Sequence, residues 1–146
     1  MPSSDLLTMP SDSNKKQSSL DTIINWVLRL VPAVIVGRVA LMKFTAGPKA
    51  LMIFKSLDME PGGRILIGVI ETICVVLLLS SRISAWGAIL CLGVMTGAVI
   101  AHVSVLGFDG AAGQLFIMAI ITSISTLMLL YRLRSQVPFV SDMFDE

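Results

Sequence analysis

Most of what a soluble catalyst needs is scarce in this chain. Only 14% of its 146 residues are charged, against about a quarter in an ordinary soluble domain, while 55% are apolar. Eleven Lys and Arg face ten Asp and Glu, leaving a net charge of +1. With no strong field of either sign, there is no electrostatic footprint for nucleic acid. Histidine occurs once, as His102, and cysteine twice, as Cys74 and Cys91, in separate apolar runs without a CxxC pair. Neither a metal site nor a disulfide framework is expected from that set. Nucleotide-binding glycine loops and haem or iron–sulfur spacings are also missing. The chain alone is therefore not expected to be a complete redox enzyme, and no covalently bound cofactor is expected.

Long apolar runs are what it has. A helix needs about 20 apolar residues to cross a bilayer. Residues 83–108 and 110–131 contain no Asp, Glu, Lys or Arg, and residues 65–81 contain only Glu71. Residues 23–44 are interrupted by Arg29, Arg38 and Lys43, with Pro32 expected to kink the helix. The expected fold is all-α: an integral membrane four-helix bundle over 22–134, with spans near 23–44, 64–81, 83–106 and 111–132. Residues 1–21 are polar and serine-rich, without the order of a signal peptide, and read as a disordered tail. Residues 135–146 form a second tail. Between the first two spans, residues 49–57 mix Leu51, Met52, Ile53 and Phe54 with Lys49 and Lys55. That pattern suits a short interfacial helix, closed by Pro61-Gly62-Gly63.

Basic residues near the span ends set the orientation. Lys15, Lys16, Arg29, Arg82, Arg132 and Arg134 fall on one side; Lys43, Lys49, Lys55 and Arg64 fall on the other. The excess places both termini in the cytoplasm, with Trp26, Trp86 and Tyr131 forming an aromatic belt at that edge. Arg29, with Trp26 and Trp86, reads as a lipid anchor, its side chain snorkelling to lipid phosphates. Gly93, Gly97 and Ala101 in the third span suggest close helix packing, and Thr122, Ser123, Ser125 and Thr126 in the fourth suggest hydroxyl bonds across helices or to their own backbone.

Ionisable groups inside a membrane are costly, about 2.5–3.5 kcal/mol at the centre, and mark function by default. At 1.5 Å per residue, Glu71 and Arg38 lie roughly 10 Å below the outer edge and His102 about 6 Å. Lys43 is closer to that edge, and Gln114 is about one turn into the fourth span. Four helices thus place polar groups in one half of the membrane. The expected cluster centres on Glu71, paired with Arg38 or Lys43 and within reach of His102 and Gln114. It suits a quinone head group, a proton relay or a small anion; alternatively it is a structural lock between helices. Counted from the same edge, Cys74 lies about 15 Å down and Cys91 over 20 Å. A disulfide needs Cα atoms within about 7 Å, so separate buried thiols are expected rather than a thiol-redox site.

The order of these features resembles the DoxX-like family of small four-span bacterial membrane proteins. The likeness runs from about Trp26 to Arg134. It rests on Leu41-Met42-Lys43-Phe44 closing the first span and on Gly63-Arg64-Ile65-Leu66-Ile67-Gly68-Val69-Ile70-Glu71 opening the second. Met95-Thr96-Gly97-Ala98-Val99-Ile100-Ala101-His102, leading to Leu106-Gly107, completes it. The resemblance implies a four-helix membrane bundle in the bacterial inner membrane. Lys43, Glu71 and His102 are its matching polar positions and Arg29 its early arginine, while Arg38 lies outside the pattern. Some relatives are subunits of a thiosulfate:quinone oxidoreductase, and others belong to a membrane complex for oxidative-stress defence. The expectation is an accessory or quinone-interacting subunit of a membrane redox complex, with other subunits or copies of itself as partners. A scaffold for soluble enzymes, or a small proton-coupled transporter, is the alternative. Four-span multidrug exporters, however, carry their membrane glutamate in the first span.

Overall fold

Because lipid offers no hydrogen-bond partners, every backbone group within the bilayer must be satisfied inside its own helix. The chain obeys that rule. The structure, a computed structural model, describes residues 12–134, with side chains from residue 18. Five α-helices are found there: α1 (Asp12–Phe44), α2 (Pro48–Ser56), α3 (Gly62–Leu79), α4 (Ser84–Ala101) and α5 (Gly110–Arg132). α4 continues into a π-helical turn, His102–Leu106. Among the described residues there is no strand. Four segments are long and apolar enough to cross a membrane: Ser18–Phe44, Gly62–Leu79, Ser84–Leu106 and Gly110–Arg132.

The helices form a ring, with α1 packed on α3 and α5, and α4 packed on the same two. α1 is longer than its expected span: residues 12–21, expected to belong to a disordered tail, are already helical, and the helix runs through Pro32 without ending. Residues 1–11 and 135–146, read from sequence as tail, lie outside the described residues. Pro61-Gly62-Gly63 acts differently from expectation. α2 has already ended at Ser56, and Pro61 instead caps the start of α3, where a missing N–H costs nothing.

Large side chains point outward, as lipid allows: Val34, Leu66, Val76 and Ile100 are each at least 58% exposed. The interior is made of smaller groups, with Val36, Cys74, Leu78, Ala85, Ala88, Cys91 and Leu129 nearly inaccessible. Gly87 explains how α3 and α4 come so close. A Cβ on it would stand 2.6 Å from the Leu78 backbone nitrogen, so only glycine fits. The expected small-residue seam is not used within the bundle, because a Cβ on Gly93 or Gly97 would meet nothing within 4 Å. The hydroxyls of Ser123 and Thr126 bond their own helix, to Ala119 O at 2.8 Å and Thr122 O at 2.7 Å.

The cysteines are separate thiols, as expected, and both belong to the same core cluster of the bundle. Both are free and wholly buried. Measured from the helix ends at the turn joining them, Cys74 lies about 7.5 Å from Leu79 and Cys91 about 10.5 Å from Ser84 at 1.5 Å per residue, a difference of only about 3 Å. The depths counted from the outer edge mislead because α4 and its π turn extend further than α3 does.

Candidate functional site

The stripe that α1 buries sets the site. Arg29, Ala33, Val36, Ala40 and Lys43 recur at three- and four-residue steps, and all are under 9% exposed. Lys43 therefore enters the interior one residue before the helix ends. Two features hold it there. Gly68 on α3 lets the end of α1 approach, since a Cβ at that position would lie 3.3 Å from Lys43 Cβ and 3.3 Å from Phe44 Cζ. Arg64, also buried, donates from Nη1 to the Lys43 carbonyl, one of the groups a helix end leaves unpaired. Its Nε donates to both Glu60 carboxylate oxygens, at 2.8 and 2.9 Å. The sequence reading counted Arg64 only as an orientation charge and gave Glu60 no role. Four-residue spacing between acid and base just before a span was the signal available.

Glu71 lies one turn beyond Gly68 on α3 and is 2% exposed. The Lys43 ammonium donates to both its oxygens, at 2.5 and 2.6 Å, and sits 5.9 Å from the centre of the Phe54 ring of α2. The expected pairing of Glu71 with Lys43 is thus present. Arg38 is not part of it. Five residues separate Arg38 from Lys43, which is about 140° around a helix of 3.6 residues per turn. With Lys43 inside, Arg38 faces outward and is exposed. Gln114 also stays outside the cluster: it is exposed and accepts a 2.8 Å hydrogen bond from Lys49 Nζ, tying α5 to α2.

His102 sits where α4 widens into its π turn, a local irregularity often found at functional sites. It is 4% exposed and its ring packs against Phe116 at 5.7 Å. Nδ1 lies 2.7 Å from the Ala98 carbonyl. A carbonyl can only accept, so Nδ1 carries a proton, and when the ring is neutral Nε2 presents a lone pair. That Nε2 is buried and has no partner.

Between these groups lies a cavity of about 370 Å³, bounded by α1, α2, α3, α4 with its π turn, and α5. Its wall is hydrocarbon, including Val39, Ile53, Leu57, Met95 and Leu115, with Lys43, Glu71 and His102 as its polar groups. Gly97 opens onto it, so the small residues of α4 make room here instead of drawing helices together. α2 closes one side with Ala50 and Phe54, both buried. This size and character suit a small, mostly apolar molecule with few polar atoms.

The residues read as lipid anchors divide. Trp26 and Trp86 are 42% and 55% exposed, as an anchor must be. Arg29 is only 7% exposed and turns into the bundle, because it lies on the same stripe as Lys43. No group of three or more His, Cys, Asp or Glu among the described residues could hold a metal ion.

Comparison with curated proteins and with solved structures finds no match. The model of the DoxX-like family matches residues 27–124, which hold α2, α3, α4, the π turn, most of α1 and over half of α5, together with Lys43, Glu71 and His102. This four-span chain therefore belongs to the DoxX-like family.

Proposed function

We propose that this protein is a quinone-binding accessory subunit of a membrane redox complex, with the ligand's polar ring end held between the Lys43–Glu71 pair and His102. The observation that carries this reading is the unpartnered His102 Nε2 on the wall of an otherwise apolar cavity. A buried polar atom without a partner costs about 1–3 kcal/mol, which a ligand hydroxyl would recover. The lone pair on Nε2 accepts from an O–H, so the neutral ring favours the hydroquinone form. Lys43 has three N–H donors, and Glu71 takes two of them. The third remains for an oxygen of the ligand. A bound quinone supplies two-electron, two-proton chemistry. His102 takes up a proton at Nε2 as the hydroxyl loses it, and the Lys43–Glu71 pair holds charge fixed beside it. With that proton a bound hydroquinone would release two electrons, which a partner subunit would accept, and a second proton, which would leave the site.

The same reading places the chain in a bacterial inner membrane with both termini cytoplasmic. The exposed Trp26, Trp86 and Tyr131 at one end of the bundle support it.

The test is titration of a short-chain hydroquinone and its quinone into protein held in lipid nanodiscs, followed by tryptophan fluorescence. His102→Ala should weaken hydroquinone binding by about tenfold, or 1.4 kcal/mol, with the melting temperature little changed. Glu71→Gln should weaken both forms. Equal affinity in wild type and both variants would reject the proposal.

A further inference from the structure

Arg29 presents an unusual imbalance. It is 93% buried, and no carboxylate among the described residues answers it. The ion pairs described there join Lys43 to Glu71, Arg64 to Glu60 and Arg132 to Asp21. The Arg29 guanidinium has only weaker company: Nη1 donates to Ser81 Oγ at 3.3 Å, and its centre lies 5.6 Å from the Trp26 ring. Nε is buried with no partner. Desolvating a cation costs several kcal/mol, and an uncompensated one is strongly destabilising. Among the described residues, the site is short of one anion.

Its position narrows the choice. Ser81 belongs to the turn between α3, ending at Leu79, and α4, beginning at Ser84. Arg29 therefore sits at the depth where the apolar spans stop and headgroups begin. Arg82, exposed in the same turn, adds a second cation with no described acidic partner. A planar guanidinium with free N–H groups matches two oxygens of a phosphate. Beside it, the Trp26 ring that the guanidinium approaches is 42% exposed and offers an apolar seat for an acyl chain.

We infer that Arg29, beneath the α3–α4 turn, binds one phosphate group, carried by the headgroup of an anionic phospholipid. It is a built site distinct from the Lys43–Glu71–His102 cavity, and it turns an apparent surface anchor into a specific lipid contact. The site also ties α1 to the α3–α4 turn through a bound lipid.

Native mass spectrometry of the full chain, released from nanodiscs of mixed phosphatidylglycerol and phosphatidylcholine, tests this. Wild type should retain one phosphatidylglycerol at about tenfold enrichment over phosphatidylcholine, and Arg29→Gln should lose that enrichment. Should Arg29→Gln fail to fold, Arg29→Lys keeps the charge but lacks the fork, and its enrichment should fall several-fold. Millimolar inorganic phosphate separates the sources. If it leaves the lipid in place, the headgroup is the ligand; if it displaces the lipid and raises the melting temperature of wild type alone, the anion site stands with free phosphate as its occupant. Equal retention of both lipids by wild type, or enrichment unchanged in the Arg29 variants, overturns the inference.

Discussion

Separating Lys43 from Glu71 should cost far more than removing both. At the 2.5 Å Nζ–Oε1 separation, an effective dielectric of about 20 gives roughly 7 kcal/mol of attraction. Removing both groups from water costs several kcal/mol each, so the pair is close to neutral overall. Lys43→Met leaves the carboxylate stranded at a site 2% exposed, and Glu71→Leu does the same to the ammonium. Each single change should destabilise the bundle by about 3–5 kcal/mol, while Lys43→Met with Glu71→Leu should recover most of the loss. The assay is reversible unfolding from mild detergent by increasing dodecyl sulfate, followed by far-ultraviolet circular dichroism. Single changes of under about 1 kcal/mol that simply add in the double variant would refute the argument, since they would mean that water reaches the pair.

Two further outcomes follow from the packing. Gly87→Ala drives a methyl into the α3 backbone and should cost about 1–3 kcal/mol, whereas Gly93→Ala, with open space around it, should stay within about 0.5 kcal/mol in the same unfolding assay. Equal effects at the two sites would count against the close α3–α4 contact. Arg38→Leu should leave hydroquinone affinity within about twofold of wild type, because Arg38 lies outside the site; a tenfold loss, or 1.4 kcal/mol, would bring it back into the cluster.

The site was partly legible along the chain. Depth can be counted at a fixed rise per residue, so Glu71, Lys43 and His102 could be assigned to the same half of the membrane before any packing was known. Direction around the helix was legible too. The Arg29–Ala33–Val36–Ala40–Lys43 stripe is a helical period that separates Arg38 from Lys43 and already puts Arg29 inside. Gln114 carried no such signal, because its partner Lys49 comes from a helix whose placement depends on two turns.

Four long apolar segments, two of them without any charge, and a short mixed helix after the first follow from the sequence alone, because a lipid-spanning helix satisfies its own backbone. Which residues touch across those helices was decided by tertiary structure. Gly87 and Gly68 are unremarkable as letters, and only their neighbours' backbones and side chains make them necessary. That Cys74 and Cys91 share one core cluster likewise depends on where two antiparallel helices turn, and the cavity exists because α2 folds over a gap that α1, α4 and α5 leave open. Rise and period are properties of one helix. Contact, void and a charge left without a partner are properties of several.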